Sequence, residues 1–166
     1  MKNIAYIIPG YGENCNLKRY QALSSMLKTK GYTVKPVNPD WKKPLSKQSF
    51  RVPKNALVIG FSFGAIIAYL IAEKYTFTKA ILASLSPLNT YPKKTIIKYF
   101  SKEIGQKKAI VYATDLKKIK ISLKNLSTPT ITLAGELEKG MSADFLVPKT
   151  NHMMTKTYIN AIAKLV

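Results

Sequence analysis

Ala56-Leu57-Val58-Ile59-Gly60 runs straight into Phe61-Ser62-Phe63-Gly64, and the stretch from Ala65 to Tyr75 follows without a break. The first five residues carry no polar side chain, the pattern of a strand buried on both faces in the middle of a parallel sheet. From Ala65 to Tyr75 nearly every position is apolar, so this segment reads as a helix buried all round. Between them, Gly60-Phe61-Ser62-Phe63-Gly64 has the spacing G-x-S-x-G. That spacing suits a sharp strand-to-helix turn that exposes its serine. A serine there takes a strained backbone, and the residues two positions away must be small for strand and helix to approach. Glycine stands at both positions.

Working outward, Asn3 to Ile8 reads as a buried strand ending in the tight loop Pro9-Gly10-Tyr11-Gly12. Asn16 to Lys30 carries Leu17, Tyr20, Leu23 and Leu27 at helical steps, and Gly31 sits at the helix C-terminus. Tyr32 to Val37 predicts a second strand, closing a βαβ unit. Residues 38–55 read as a loop with a short helical turn, marked by Pro39, Pro44 and Pro53. Lys79 to Leu85 and Thr130 to Ala134 read as further strands, and Phe145 to Val147 as a last short one. In the segment 88–128 the reading is a helix over 93–103, a short strand or helix over 109–113, and a lysine-rich amphipathic stretch from Leu116 to Leu126. A helix from Met153 to Leu165 closes the chain, its apolar face formed by Met154, Tyr158, Ile162 and Leu165. Strands alternating with helices predict an α/β fold: a three-layer α/β/α sandwich around a mostly parallel, doubly wound sheet. At 166 residues, 46% of them hydrophobic, the chain is expected to be one domain spanning residues 1–166.

Cys15 is the only cysteine and no Cys/His cluster has metal-ligand spacing, so neither a disulfide nor a metal is implied. The reading is a soluble protein in a reduced, cytoplasmic setting. Residues 1–9 are too short and too soon interrupted by Pro9 for a signal-peptide core, and no apolar run approaches the ~20 residues of a membrane span. The formal charge is +19, a field that attracts anions in general. Of the 27 basic residues only Arg19 and Arg51 are arginine, and the chain is rich in Asn, Ile and Tyr, as an AT-rich coding sequence produces. With scattered lysines and no Arg-rich or aromatic-interleaved stretch, no specific nucleic-acid partner is expected, only nonspecific attraction to anionic surfaces.

With the G-x-S-x-G turn in this context, the chain resembles the α/β-hydrolase family, in particular its small members with little or no lid. The resemblance runs over nearly the whole length and makes Ser62 the nucleophile. Pro9-Gly10-Tyr11-Gly12-Glu13 resembles the loop that supplies an oxyanion-hole amide, so the backbone N–H groups of Tyr11 and Phe63 are the implied oxyanion donors. His152 is the only histidine, and any serine–histidine mechanism must use it as the base. For the acid, Gly135-Glu136-Leu137-Glu138 resembles the family's glycine-x-x-aspartate and selects Glu138, with Glu136 and Asp144 in reserve. Only 13 residues separate Glu138 from His152. The helix that precedes the last strand in the family is therefore missing or reduced to a turn. Residues 88–128 occupy the position of a short lid. Phe61, Phe63, Tyr11, Trp41 and Leu88 are candidates for an apolar acyl pocket. The resemblance implies a serine hydrolase acting on a small or medium acyl ester or thioester as its small-molecule partner, without cofactor. The alternatives are a catalytically silent module binding an anionic partner through Lys117-Lys118-Ile119-Lys120 to Lys124, and an acyltransferase.

Overall fold

The computed structural model describes residues 3–166. Among these, six strands form one sheet: β1 (Ile4–Ile8), β2 (Thr33–Pro36), β3 (Ala56–Phe61), β4 (Lys79–Ala83), β5 (Thr130–Gly135) and β6 (Phe145–Val147). Their order is β2-β1-β3-β4-β5-β6, and each neighbouring pair is parallel. The connecting helices are α1 (Lys18–Thr29), α2 (Phe63–Lys74), α3 (Lys93–Ile104), α4 (Gln106–Lys118) and α5 (Lys156–Leu165).

The chain steps from β1 to β2 at one edge, then crosses back to β3 on the other side of β1 and winds outward to β6. The winding direction thus reverses between β1 and β3, where an open α/β sheet forms its ligand crevice at the carboxyl ends of the strands. Side-chain alternation along the strands sorts the core into two layers. Ala5, Ile7, Leu57, Ile59, Ile81 and Ala83 pack against α1 and α5 through Tyr20, Leu23, Leu27, Tyr158 and Ile162. Tyr6, Ile8, Val58, Ala80 and Leu82 face α2, α3 and α4. Because α2 lies between the sheet and the α3–α4 hairpin, ten of its twelve residues are buried, which accounts for its apolar sequence.

The helix ends follow local chemistry. After α1, Gly31 adopts φ 86, its N–H reaches the Lys28 carbonyl and the Tyr32 N–H reaches that of Leu27, the paired bonds of a Schellman ending. The closing helix begins at Lys156, three residues later than its sequence period suggests. Thr155 caps it by accepting from the Tyr158 amide at 3.2 Å, leaving Met153 and Met154 in the preceding loop. The segment from 106 to 118 is one continuous helix, with no break between the 109–113 and 116–126 stretches that the sequence divides. Ala109, Tyr112, Ala113 and Leu116 form its buried stripe at i, i+3, i+4 and i+7, a period masked by the intervening lysines. The amphipathic reading stops at Lys118, since Ile119 turns inward and a single 3-10 turn spans Leu123–Asn125. Between β5 and β6 the chain forms turns and no helix.

Candidate active site

At the carboxyl end of β3 the chain turns into α2 through Ser62, which holds φ 55 and ψ −115, outside the regions that L-residues favour. A Cβ on Gly60 would stand 2.2 Å from the Gly64 carbonyl oxygen, and one on Gly64 would stand 2.3 Å from the carbonyl oxygens of Ile8 and Pro9. Both glycines are therefore required by close backbone approach. The Ser62 amide is held by the Ala83 carbonyl at 2.8 Å, but its hydroxyl makes no cap bond to the helix it precedes. That hydroxyl instead meets His152, whose Nε2 lies 2.8 Å from Oγ, while Nδ1 lies 2.7 Å from Oε2 of Glu138.

The short spacing between Glu138 and His152 is made workable by β6. It lies beside β5 and brings the loop that follows it against the turn after β5. Glu136 N donates to the Val147 carbonyl at 3.0 Å and Leu137 N to that of Thr150 at 2.9 Å. Gly135 closes the contact: a Cβ there would stand 2.5 Å from the Thr150 oxygen. The Glu138 side chain is 4% exposed and accepts from the Gly135 amide at 2.6 Å and the Ser84 hydroxyl at 2.5 Å, besides facing His152. Burial alone would raise its carboxyl. The hydrogen bonds from His152, Ser84 and the Gly135 amide outweigh that cost and hold it below the usual carboxylate range. Glu136 and Asp144, the reserve carboxylates, point to other partners: Glu136 accepts from the Lys149 amide, and Asp144 from the amide and hydroxyl of Thr132.

Two supports carry no sequence signal. Ser84 follows β4, is fully buried and holds φ 47. Its hydroxyl and amide each lie 3.0 Å from the Tyr158 hydroxyl, which in turn donates to the Leu133 carbonyl, so α5 fixes the group that holds Glu138. The second is Glu13. Gly10–Glu13 forms a turn closed by Glu13 N to the Gly10 carbonyl, with φ 72 at Gly12. The Glu13 carboxylate ion-pairs with Arg19 and accepts from the Tyr20 hydroxyl, while its carbonyl accepts from Trp41 Nε1 at 3.0 Å. Burial, and then Glu13, push the Tyr20 phenol far above its ordinary value, so it stays a donor to Glu13, and its oxygen accepts from the Gly10 amide at 3.0 Å. Among the described residues, the amides of Tyr11 and Phe63 have no protein acceptor. Phe63 is the first residue of α2, where N–H groups lack intrahelical partners.

Gly10, Tyr11, Phe63, Ser86, Leu88 and Tyr99 line, with Ser62 and His152, a cleft of about 260 Å³. Trp41 does not line it. It packs on the Tyr11 ring at 5.5 Å and braces the loop through Glu13, so its part in an acyl pocket is corrected to a support. The α3–α4 hairpin closes the same side: Phe100 and Tyr112 are buried against Phe63 and Tyr11. Among the described residues, no cluster of three or more His, Cys, Asp or Glu is arranged to hold a metal ion, and no helix is long and apolar enough to cross a membrane.

Solved structures repeat this arrangement of strands and helices. Alpha/beta hydrolase domain-containing protein 10 from mouse superposes with a TM-score of 0.67 at 14% identity, over 97% of this chain and 86% of that one. This chain has the α/β-hydrolase fold. Two further solved structures match over similar lengths. Est1E from Butyrivibrio proteoclasticus gives 0.68 at 11% identity over 99% and 85% of the two chains. The RedJ thioesterase from the prodiginine pathway of Streptomyces coelicolor gives 0.61 at 12% identity over 97% and 83%. No protein-family model matches the sequence, and no curated protein does so significantly.

Proposed function

We propose that this α/β-hydrolase-fold chain is a serine hydrolase that cleaves a small acyl ester or thioester through an acyl-enzyme. The observation that carries the reading is the unbroken line of hydrogen bonds from Ser62 Oγ through His152 to Glu138, at a serine whose hydroxyl is otherwise unused by its helix. In the proposed reaction, Oγ attacks the substrate carbonyl and Nε2 takes its proton. The amides of Tyr11 and Phe63 receive the oxyanion, each such donor worth about 3 kcal/mol of transition-state stabilisation. His152 then protonates the leaving alkoxide or thiolate, and water repeats the cycle on the ester of Ser62 to release the acid. Glu138 keeps Nδ1 protonated and offsets the imidazolium charge without itself taking the proton.

The size of the cleft supports a short acyl group: at about 260 Å³ it lies below the roughly 300–1,000 Å³ that accommodate drug-sized ligands. Thioester cleavage belongs to the same chemistry, and a thioesterase shares the fold. A reduced, cytoplasmic setting and a short fixed lid over residues 88–128 belong to the same proposal. The test is fluorophosphonate labelling together with a screen of aryl esters of graded chain length. Labelling is expected on Ser62, abolished by Ser62→Ala, with turnover lowered by at least about a thousandfold in Ser62→Ala and His152→Ala. A folded chain that neither labels nor turns over any of these esters overturns the reading.

A further inference from the structure

The α3–α4 hairpin carries a surface that the cleft does not use. Lys94, Lys98 and Lys102 of α3 and Lys107, Lys108 and Lys118 of α4 are all exposed. Tyr99, Ile110 and Val111, with Tyr91 just before α3, are among the large apolar side chains most open to solvent, at 42–57%. Tyr99 and Val111 stand six residues either side of Gly105, which joins the helices, and so lie at one level of the hairpin. Cationic and apolar groups are thus interleaved on the solvent-exposed sides of the two helices.

Neither carboxylate of these helices forms an ion pair with their lysines: Glu103, itself exposed, lies beside the Tyr11 phenol, and Asp115 accepts from the amide and hydroxyl of Ser46. Across the described residues, Arg19 and Lys43 are the only basic residues besides His152 in an ion pair. Lys42, Lys107, Lys108 and Val111 also surround a hollow of about 210 Å³, floored by Pro44 and by Tyr112, whose buried hydroxyl has no hydrogen-bond partner.

We infer that the exposed face of the α3–α4 hairpin docks on an anionic lipid surface, with Tyr99, Ile110 and Val111 entering the headgroup region and the lysines facing lipid phosphate and carboxylate. Charge complementarity selects the occupant, because lysines beside an anionic leaflet act together within a Debye length, and interleaved apolar side chains reward a bilayer over a purely polar polyanion. Tyr99 also lines the cleft, so a docked hairpin would set the mouth of the site against the surface from which an acyl ester is drawn. That last consequence rests on the proposed hydrolase reading; the docking does not.

Co-sedimentation of the full chain with phosphatidylcholine vesicles, with and without about a quarter phosphatidylserine, tests the inference. Binding is expected only to the anionic vesicles. Joint Lys98→Glu, Lys102→Glu, Lys107→Glu and Lys108→Glu reversal should weaken it about tenfold or more, and Val111→Ser should leave a residue of binding that is more easily removed by salt. A control with the same change of charge, Lys18→Glu, Lys28→Glu, Lys54→Glu and Lys164→Glu, should retain most of the binding. Equal loss in both variants, or no binding to anionic vesicles at all, overturns the docking face. So does duplex DNA that depends on these hairpin lysines while vesicle binding does not. Turnover of a soluble ester on the same samples separates the two readings: turnover without vesicle binding sinks the docking alone, and binding without turnover sinks the hydrolase alone.

Discussion

At the scale of single residues, the site depends on how Glu138 is held. Three donors converge on a carboxylate that is almost fully buried, and removing any one leaves charge less well compensated. Ser84→Ala should lower kcat about tenfold with KM little changed, since a hydrogen bond to a charged group is worth roughly 1.5 kcal/mol or more. Steady-state kinetics check this, and an unchanged kcat would remove Ser84 from the positioning role. The depressed Glu138 carboxyl also links stability to pH. Its folded-state value lies below its unfolded one, so its contribution is fully present above the unfolded carboxylate range and is lost as pH falls through the folded value. Denaturant melts across the acid range should therefore show a loss of stability in the wild type that is smaller in Glu138→Gln.

At the scale of elements, the junction of β1, β3 and α2 is the tightest place in the fold. Gly64 lets the first turn of α2 sit directly on the backbone of Ile8 and Pro9, so the loop supplying the Tyr11 amide and the turn carrying Ser62 are positioned by one contact. Gly64→Ala should destabilise the chain by about 3 kcal/mol or prevent folding, because backbone on both sides leaves no side chain to give way. Thermal unfolding monitored by circular dichroism measures the effect. This junction was legible in G-x-S-x-G because a close approach between strand and helix demands small residues at fixed spacing. The continuous α4 was not legible: four lysines and other polar residues hide its four-residue buried stripe until the hairpin packs. The short turn structure from β5 to β6 was inferred from spacing, but its workability comes from β6 pairing beside β5.

At the scale of the whole molecule, the core layer packed against α1 and α5 holds Cys15, whose thiol lies near the carbonyls of Ile7 and Val37. Burial pushes it up to about 11, with the Val37 bond opposing, so at neutral pH it is a buried thiol with little thiolate. Ellman's reagent should react with it slowly in the native protein and at the rate of a free thiol after denaturation; rapid reaction of the folded chain would contradict this core. The sequence by itself determined the parallel α/β order, the strained serine turn and the single imidazole, because apolar periodicity and close-approach glycines are local constraints written along the chain. Tertiary structure alone decided which of three nearby carboxylates faces His152, and it alone recruited Ser84, Tyr158 and Glu13. Those contacts join residues up to 74 positions apart, and only the closed sheet brings their donors and acceptors together.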